Sequence, residues 1–357
     1  LVSASHDQFR AQRTFGALDT LRAVSIVAVI WHHTAPSPGP EYSTTRGFLG
    51  VDLFFVISGF LIVTLLLRER ERSGTISLSS FYIRRSLRIF PVYYAVLGLL
   101  SVLFLLKPSS TNAEAFFGGL PYFLTYTSNW VHLPLAADGS HSIMNLAWSL
   151  ASEEQFYLLW PPLERYFARW VKVVLPLLLG VNVLLAIHVL WPGPRPEIVQ
   201  ITFFPILMGV ALAHVLHSAR GYAQVARVVG ARWSAPLWVL ITLGLAIMPV
   251  EDVAGWPRLA IQTSMVIMLA AFVVREDHGL VTLTRWAPLA RLGVVSYGMY
   301  LFHMIARDPV VRVLGRLDLD SMWLRFGLTT LLTWVVAELS FRYFEKRFLT
   351  LKERFST

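Results

Sequence analysis

At 357 residues, 55% of them hydrophobic, and with a mean hydropathy of +0.57, the chain is too apolar for a soluble globular protein. It reads as an all-α polytopic membrane bundle: in lipid only helices or closed barrels satisfy their own backbone, and these apolar runs are long rather than alternating, which excludes a barrel. The net charge of +9 does not indicate nucleic acid, because the basic residues fall in short stretches between apolar runs, and the absence of cysteine excludes disulfides and thiol chemistry.

In chain order, residues 1–16 are polar and basic and read as a cytoplasmic lead-in, with no secretory leader pattern. The chain begins with Leu1 rather than Met, so a few residues are expected to be missing before it. Spans are predicted near 17–35, 47–67, 90–106, from Trp148 onward, and near 171–191, 198–217, 233–249, 257–274, 291–306 and 322–341. The stretch 114–130 is apolar but broken by Gly118, Gly119 and Pro121 and ends in Thr127-Ser-Asn129, which fits a re-entrant or interfacial segment. The result is about ten crossings. Placing the N-terminus, 68–88, 164–172, 218–232, 275–291 and the tail on the inside collects most of the 31 basic residues there and makes both termini cytoplasmic. A single transmembrane domain is expected over 17–347, with a basic tail over 348–357.

The first span carries Arg22 near its start and His32-His33 at its end. Arg22 and His33 are eleven residues apart, which brings them within about 20° of one helix face and about 16 Å apart along the axis. Alone, Arg22 reads as a positive-inside anchor and His33 as a hydrogen-bonded bundle histidine. Their shared face favours a functional pair. Asp52, near the outer end of the second span, either caps the helix start or orients an imidazole. Arg85 and Arg88 share a face, Arg84 can join them, and guanidinium forks suit a cytoplasmic polyphosphate ligand.

Glu153 and Glu154 are adjacent carboxylates in an apolar helix, so each must pair, be protonated or face water. Ser149 and Glu153 share a face and Glu154 points elsewhere. Ser296, Tyr300 and His303 stack on one face of a later span, as a site or as interhelical hydrogen bonding. His214-Val-Leu-His217 has metal-like spacing but no accompanying carboxylate or third ligand, and no metal is expected. Gly50 and Gly59 read as packing glycines, and no HExxH, P-loop or GxGxxG pattern occurs.

Taken together, Leu18-Asp-Thr-Leu-Arg22 with His33, Gly50-Val-Asp-Leu-Phe-Phe-Val-Ile-Ser-Gly-Phe60, Arg84-Arg-Ser-Leu-Arg-Ile-Phe-Pro91, Trp148-Ser-Leu-Ala-Ser-Glu-Glu-Gln-Phe-Tyr157 and Ser296-Tyr-Gly-Met-Tyr-Leu-Phe-His303 resemble the acyltransferase-3 family of integral membrane acyltransferases. The resemblance implies transfer of an acyl group, commonly acetyl, from cytoplasmic acyl-CoA to a hydroxyl, often of a sugar on the outer side of a bacterial inner membrane. It makes Arg22 and His33 the family's arginine–histidine pair and Arg85 and Arg88 its R-x-x-R. Some members carry a C-terminal hydrolase-like domain; this chain, ending shortly after its last span, is expected to be a stand-alone transferase. The expected site comprises His33, Asp52, Glu153, Glu154 and His303 at the chemistry. Arg22, Arg84, Arg85 and Arg88 would hold the donor, and Trp148, Ser149 and Tyr300 would lie against the acceptor. Two alternatives stand beside a carbohydrate acceptor: acylation of a macrolide-like small molecule or a lipid, and a transporter or flippase of a polar or polyprenyl-linked substrate. No inverted repeat supports the last.

Overall fold

The computed structural model describes residues 6–12, 14–35, 46–107, 111–131, 133, 135, 142–187, 203–250, 253–319, 321–353 and 355. The regular structure among them is helical, in two compact units. The first is formed by Leu1–Ile76, Leu163–Gly193 and Thr202–Ser296, the second by Ser77–Pro162, Pro194–Ile201 and Tyr297–Thr357.

The first unit holds α1 (His6–Ala11), α2 (Gly16–Thr34) and α3 (Leu49–Ser73). Helix α4 (Leu78–Leu106), α5 (Thr111–Leu124) and most of α6 (Ala147–Tyr166) belong to the second. The first unit resumes with α7 (Ala168–Ala186), α8 (Phe204–His217), α9 (Ala219–Val229), α10 (Ser234–Ala246), α11 (Trp256–Val274), α12 (Val281–Thr284) and α13 (Ala287–Val294). Helices α14 (Ser296–Arg316), α15 (Met322–Ser340) and α16 (Lys346–Glu353) complete the second.

Every predicted span falls on a helix. The outer parts of 171–191 and 198–217 lie outside the described residues, and 291–306 is broken at Val295. Among the described residues five helices are long and apolar enough to cross a membrane: Arg46–Ser73, Leu78–Leu106, Ala168–Ala186, Trp256–Val274 and Met322–Leu351. The number rises to seven if two bent helix pairs each count as one span. Helix α5, within the stretch read as re-entrant, has 14 residues. At 1.5 Å per residue it is about 21 Å long, short of a hydrocarbon core about 30 Å thick.

Three local differences have physical causes. The basic stretch 68–88 is almost entirely helix: Arg68, Arg70 and Arg72 end α3, Gly74 closes it with φ +74, and Ser77 caps α4 by accepting from the Ser80 N–H (3.4 Å). Arg84, Arg85 and Arg88 therefore stand on the opening turns of a helix. The 218–232 stretch read as a loop contains α9, capped by Ser218 through the Gly221 N–H (3.0 Å). The lead-in is packed, not merely solvated: Phe9 is buried, and Arg68 donates to the carbonyls of Phe9 and Gln12.

In a bilayer, burying apolar side chains between helices gains little over lipid, so close approach through small residues does the work. In the first unit Gly59 of α3 faces the backbone of α8 at Ile206, and Gly209 of α8 faces α3 at Val56 and Phe60. Gly50 meets α2 at Ser25, and Gly293 of α13 meets α2 at Asp19. A β-carbon at any of these four would run into a backbone carbonyl. The reading of Gly50 and Gly59 as packing residues agrees with this. Gly209→Leu is expected to lower stability by at least about 1–3 kcal/mol, the usual cost of overpacking. Gly244→Ala, with open space around the added carbon, should be neutral. Thermal unfolding of the detergent-solubilised variants measures both.

Charged residues sort to the two ends of this unit. At one end Arg10 Nη2 lies 2.7 Å and His217 Nε2 3.0 Å from the Glu71 carboxylate. There too the Thr20 hydroxyl donates to the Thr284 carbonyl (3.1 Å), Arg275 to the Gly230 carbonyl (2.9 Å), and the Gly279 N–H to Arg232 (2.8 Å). The segments so joined are among those that the Lys/Arg count places on one side. At the opposite end Arg46 donates to the carbonyls of Ala246, Met248 and Val250.

Candidate active site

Helix α2 is unbroken from Gly16 to Thr34, so the helical spacing between Arg22 and His33 holds in the fold. Its middle is packed tightly: Ala23, Ile26, Val29 and Ile30 are all but fully buried. Arg22 and His33 are half-buried, one near each end. Arg22 Nη1 donates to Asp19 Oδ1 at 3.2 Å, one turn earlier on α2. The His33 Nδ1–H donates to the Val29 carbonyl at 2.9 Å. A carbonyl only accepts, so the neutral ring carries its proton on Nδ1 and its lone pair on Nε2. The His32 ring stands edge-on to that of His33, with centroids 5.0 Å apart, and edge-on to Phe48 at 5.5 Å.

Asp52 lies in the first turn of α3, as the helix-start reading has it, and hydrogen-bonds to no imidazole among the described residues. It is 1% exposed, and both carboxylate oxygens are engaged across helices. Arg258 of α11 donates from Nε to Oδ2 and from Nη2 to Oδ1, each at 3.0 Å, and Gln262 Nε2 donates to Oδ2 at 3.1 Å. The Arg258 guanidinium also sits 5.6 Å from the Phe48 ring centroid. Asp52 therefore pins α3 to α11 with a bidentate ion pair, and a backbone carbonyl fixes the tautomer of His33. Sequence reasoning missed Arg258 and Gln262 altogether; their i, i+4 spacing on an apolar helix was the available signal.

The remaining predicted residues lie in the second unit. On α4, Arg85 is placed over the rings of Phe81 (5.8 Å) and Tyr157 (5.4 Å), and the Tyr157 hydroxyl donates to Glu153 one turn back on α6. Glu154, on another face of α6, is within electrostatic reach of Arg85 and of Tyr93, Tyr94, Tyr126 and Tyr297. The two carboxylates thus have different surroundings, as their spacing implies. Arg84 departs from the expected cluster: its Nη1 donates to the Phe355 carbonyl of the tail at 2.8 Å. Arg88 is half-buried and makes no hydrogen bond or ion pair among the described residues. One residue further on, the Ile89 carbonyl accepts from the Tyr297 hydroxyl (3.0 Å), which ties α14 to α4 beside the arginines.

Ser149 and Tyr300, expected against the acceptor, are paired with each other: their hydroxyls are 2.6 Å apart, both are buried, and both reach the Leu146 carbonyl. Trp148 is half-buried on the first turn of α6. The His303 Nδ1–H donates to the Tyr300 carbonyl at 2.6 Å, and the ring is 1% exposed. A further network was not anticipated. Asn129, fully buried after α5, donates to Ser152 and Gln155 (3.1 Å each), and Gln155 donates back to the Tyr126 carbonyl and Asn129 (2.8 and 2.9 Å).

His214 and His217 do have carboxylate partners, contrary to the sequence reading, but different ones. His214 Nε2 is 2.7 Å from the fully buried Glu164, and His217 is bonded to Glu71. The partners lie a long way off in sequence, where spacing cannot reveal them. No group of three or more His, Asp or Glu poised to share a metal ion occurs among the described residues.

An all-α chain in which five of the described helices are long and apolar enough to cross a membrane is an integral membrane protein. The profile of the acyltransferase domain family, Acyl_transf_3, matches residues 15–340, and the chain belongs to that family. It is 31% identical to the peptidoglycan O-acetyltransferase OatA of Listeria monocytogenes, over 92% of this chain and 55% of that protein. It is 28% identical to YrhL of Bacillus subtilis, a candidate peptidoglycan O-acetyltransferase, over 94% of this chain and 55% of the relative. The chain thus spans about half the length of these relatives. No solved structure matches it.

Proposed function

We propose that this chain is a membrane O-acyltransferase that moves an acetyl group from cytoplasmic acetyl-CoA to a hydroxyl of a cell-envelope polysaccharide at the outer face of a bacterial inner membrane. The name of the Listeria relative favours peptidoglycan as the acceptor. The observation that carries the reading is α2 itself: one unbroken helix with Arg22 and His33 on one face and a backbone bond that leaves the His33 lone pair on Nε2.

In this mechanism Arg22, Arg85 and Arg88 grip the phosphates of the donor, and Arg84 joins them once released from the tail. The roughly 16 Å between Arg22 and His33, from helix rise, matches the reach of an extended pantetheine arm. His33 Nε2 takes the proton of the acceptor hydroxyl as its oxygen attacks the thioester carbonyl carbon. The carbon–sulfur bond breaks, the acceptor ester forms, and the imidazolium returns the proton to the leaving thiolate. Transient acylation of His33 is the two-step version of the same chemistry. Glu153, Glu154 and His303 are proposed to set the field and proton balance near the reacting atoms, with Trp148, Ser149 and Tyr300 shaping the acceptor's place.

Arg88 offers the sharpest test of the donor. A half-buried guanidinium with no hydrogen-bond or ion-pair partner among the described residues is stabilised by an anion. Arg88→Gln is expected to raise KM for acetyl-CoA about tenfold or more, the worth of a charge-assisted hydrogen bond of about 1.5–3 kcal/mol, with a smaller change in kcat. Steady-state release of CoA thiol by purified protein in detergent, without any ion gradient, measures this. Absence of turnover without a gradient would favour the transporter reading.

A further inference from the structure

Helix α9 lies across the path of the chain: it meets the apolar α10 at a bend of 74°. Its inward face is apolar, with Tyr222 and Val229 buried and Tyr222 packed on Phe9. Its outward face carries Arg220 and Arg227, seven residues apart and so within about 20° of each other around the axis. At the bend stand exposed Arg232 and Trp233, the latter 69% exposed. Gly279 joins this corner to the next loop: its N–H bonds the Arg232 carbonyl, and it abuts the Trp233 ring. That loop leads to exposed Arg285 and to Trp286, which is 57% exposed.

Among the described residues Arg220, Arg227, Arg232 and Arg285 make no side-chain hydrogen bond or ion pair. The neighbouring Asp277 carboxylate is bonded by Arg275 at 2.8–2.9 Å, with Arg232 within electrostatic reach but not in contact. Immediately beyond the corner, Leu237, Leu240 and Leu243 of α10 are all more than half exposed, as a lipid-facing surface requires. Exposed indoles beside exposed guanidinium groups, set where an apolar helix ends, belong at the headgroup level of a bilayer.

We propose that this corner of the first unit, formed by Arg227, Arg232, Trp233, Arg285 and Trp286 with Arg220 behind them, is a binding surface for anionic phospholipid headgroups. The guanidinium forks take the phosphates, and the indoles sit against the glycerol region. The surface is distinct from every residue assigned to acyl transfer.

The test uses the full chain reconstituted in nanodiscs of mixed phosphatidylcholine and phosphatidylglycerol, with mass spectrometry of the lipid retained after mild detergent extraction. The wild type is expected to retain phosphatidylglycerol several-fold above its bulk share, and less so as salt is added. Arg227→Gln/Arg232→Gln/Arg285→Gln is expected to return the retained lipid to the bulk ratio. The matching triple Lys variant keeps most of the enrichment, and Leu240→Ala keeps all of it. Three results would overturn the proposal: a wild type that retains lipid in the bulk ratio, whose basic face is then only solvated; a Gln variant that keeps the enrichment, whose lipid is then held elsewhere; or enrichment abolished by millimolar inorganic phosphate, which marks a site for the free anion.

Discussion

His33→Ala is expected to lower acetyl transfer by about 10²–10⁴-fold, the usual contribution of a positioned general base, and to nothing measurable if the imidazole also carries the acyl group. The protein should still insert and elute as a single species in detergent, because the ring is half-buried and its bond to the Val29 carbonyl stays within its own helix. His32→Ala separates the two histidines. His32 packs edge-on against His33 and Phe48, so its loss should cost less than about tenfold through the positioning of its neighbour. The measurement is transfer of labelled acetyl to acceptor under saturating acetyl-CoA. Undiminished turnover in His33→Ala removes the residue from the chemistry.

Arg258→Ala is expected to have the largest effect on stability. It strands the Asp52 carboxylate, which is 1% exposed and keeps, among the described residues, the Gln262 amide as its side-chain donor. Removing one partner of a buried ion pair costs about 3–5 kcal/mol, because the other charge stays behind unpaired. Asp52→Asn/Arg258→Gln should recover much of the loss, since neither charge is then buried and the two amides can still bond. Arg258→Lys should fall between, because a single ammonium cannot reproduce the two parallel bonds at 3.0 Å. Thermal unfolding in detergent ranks the three, and an Arg258→Ala protein as stable as the wild type would show that the pair contributes nothing.

What was legible in the sequence was what helical periodicity determines by itself. Arg22 and His33 share a face of α2 because they share one uninterrupted helix, and Gly50 and Gly59 declare themselves as packing residues in an apolar run, though Gly209 and Gly293 do not. The boundaries were harder. Arg84, Arg85 and Arg88 read as part of a basic loop because charge density masks a helix start, and only the Ser77 cap marks it. Helix α9 read as a loop because eleven residues of modest hydropathy do not announce a span, although Tyr222 and Val229, seven residues apart, trace its buried face. The partners of polar residues were hardest. Asp52 finds Arg258 across 206 positions and Ser149 finds Tyr300 across 151, distances over which spacing carries no information. Asp52, which the sequence offered as a helix-start carboxylate or an imidazole partner, joins α3 to α11, and the His33 ring bonds a carbonyl of its own helix.

The central claim is that the acyl group crosses the bilayer within the protein, from arginines at one face to His33 towards the other. Proteoliposomes loaded with acceptor and supplied with labelled acetyl-CoA only on the outside test it most directly. The account predicts labelled acceptor inside the vesicles, produced by the molecules whose arginine end faces out, with no acetyl-CoA in the lumen. Labelled acceptor formed only when donor and acceptor share a compartment would contradict it.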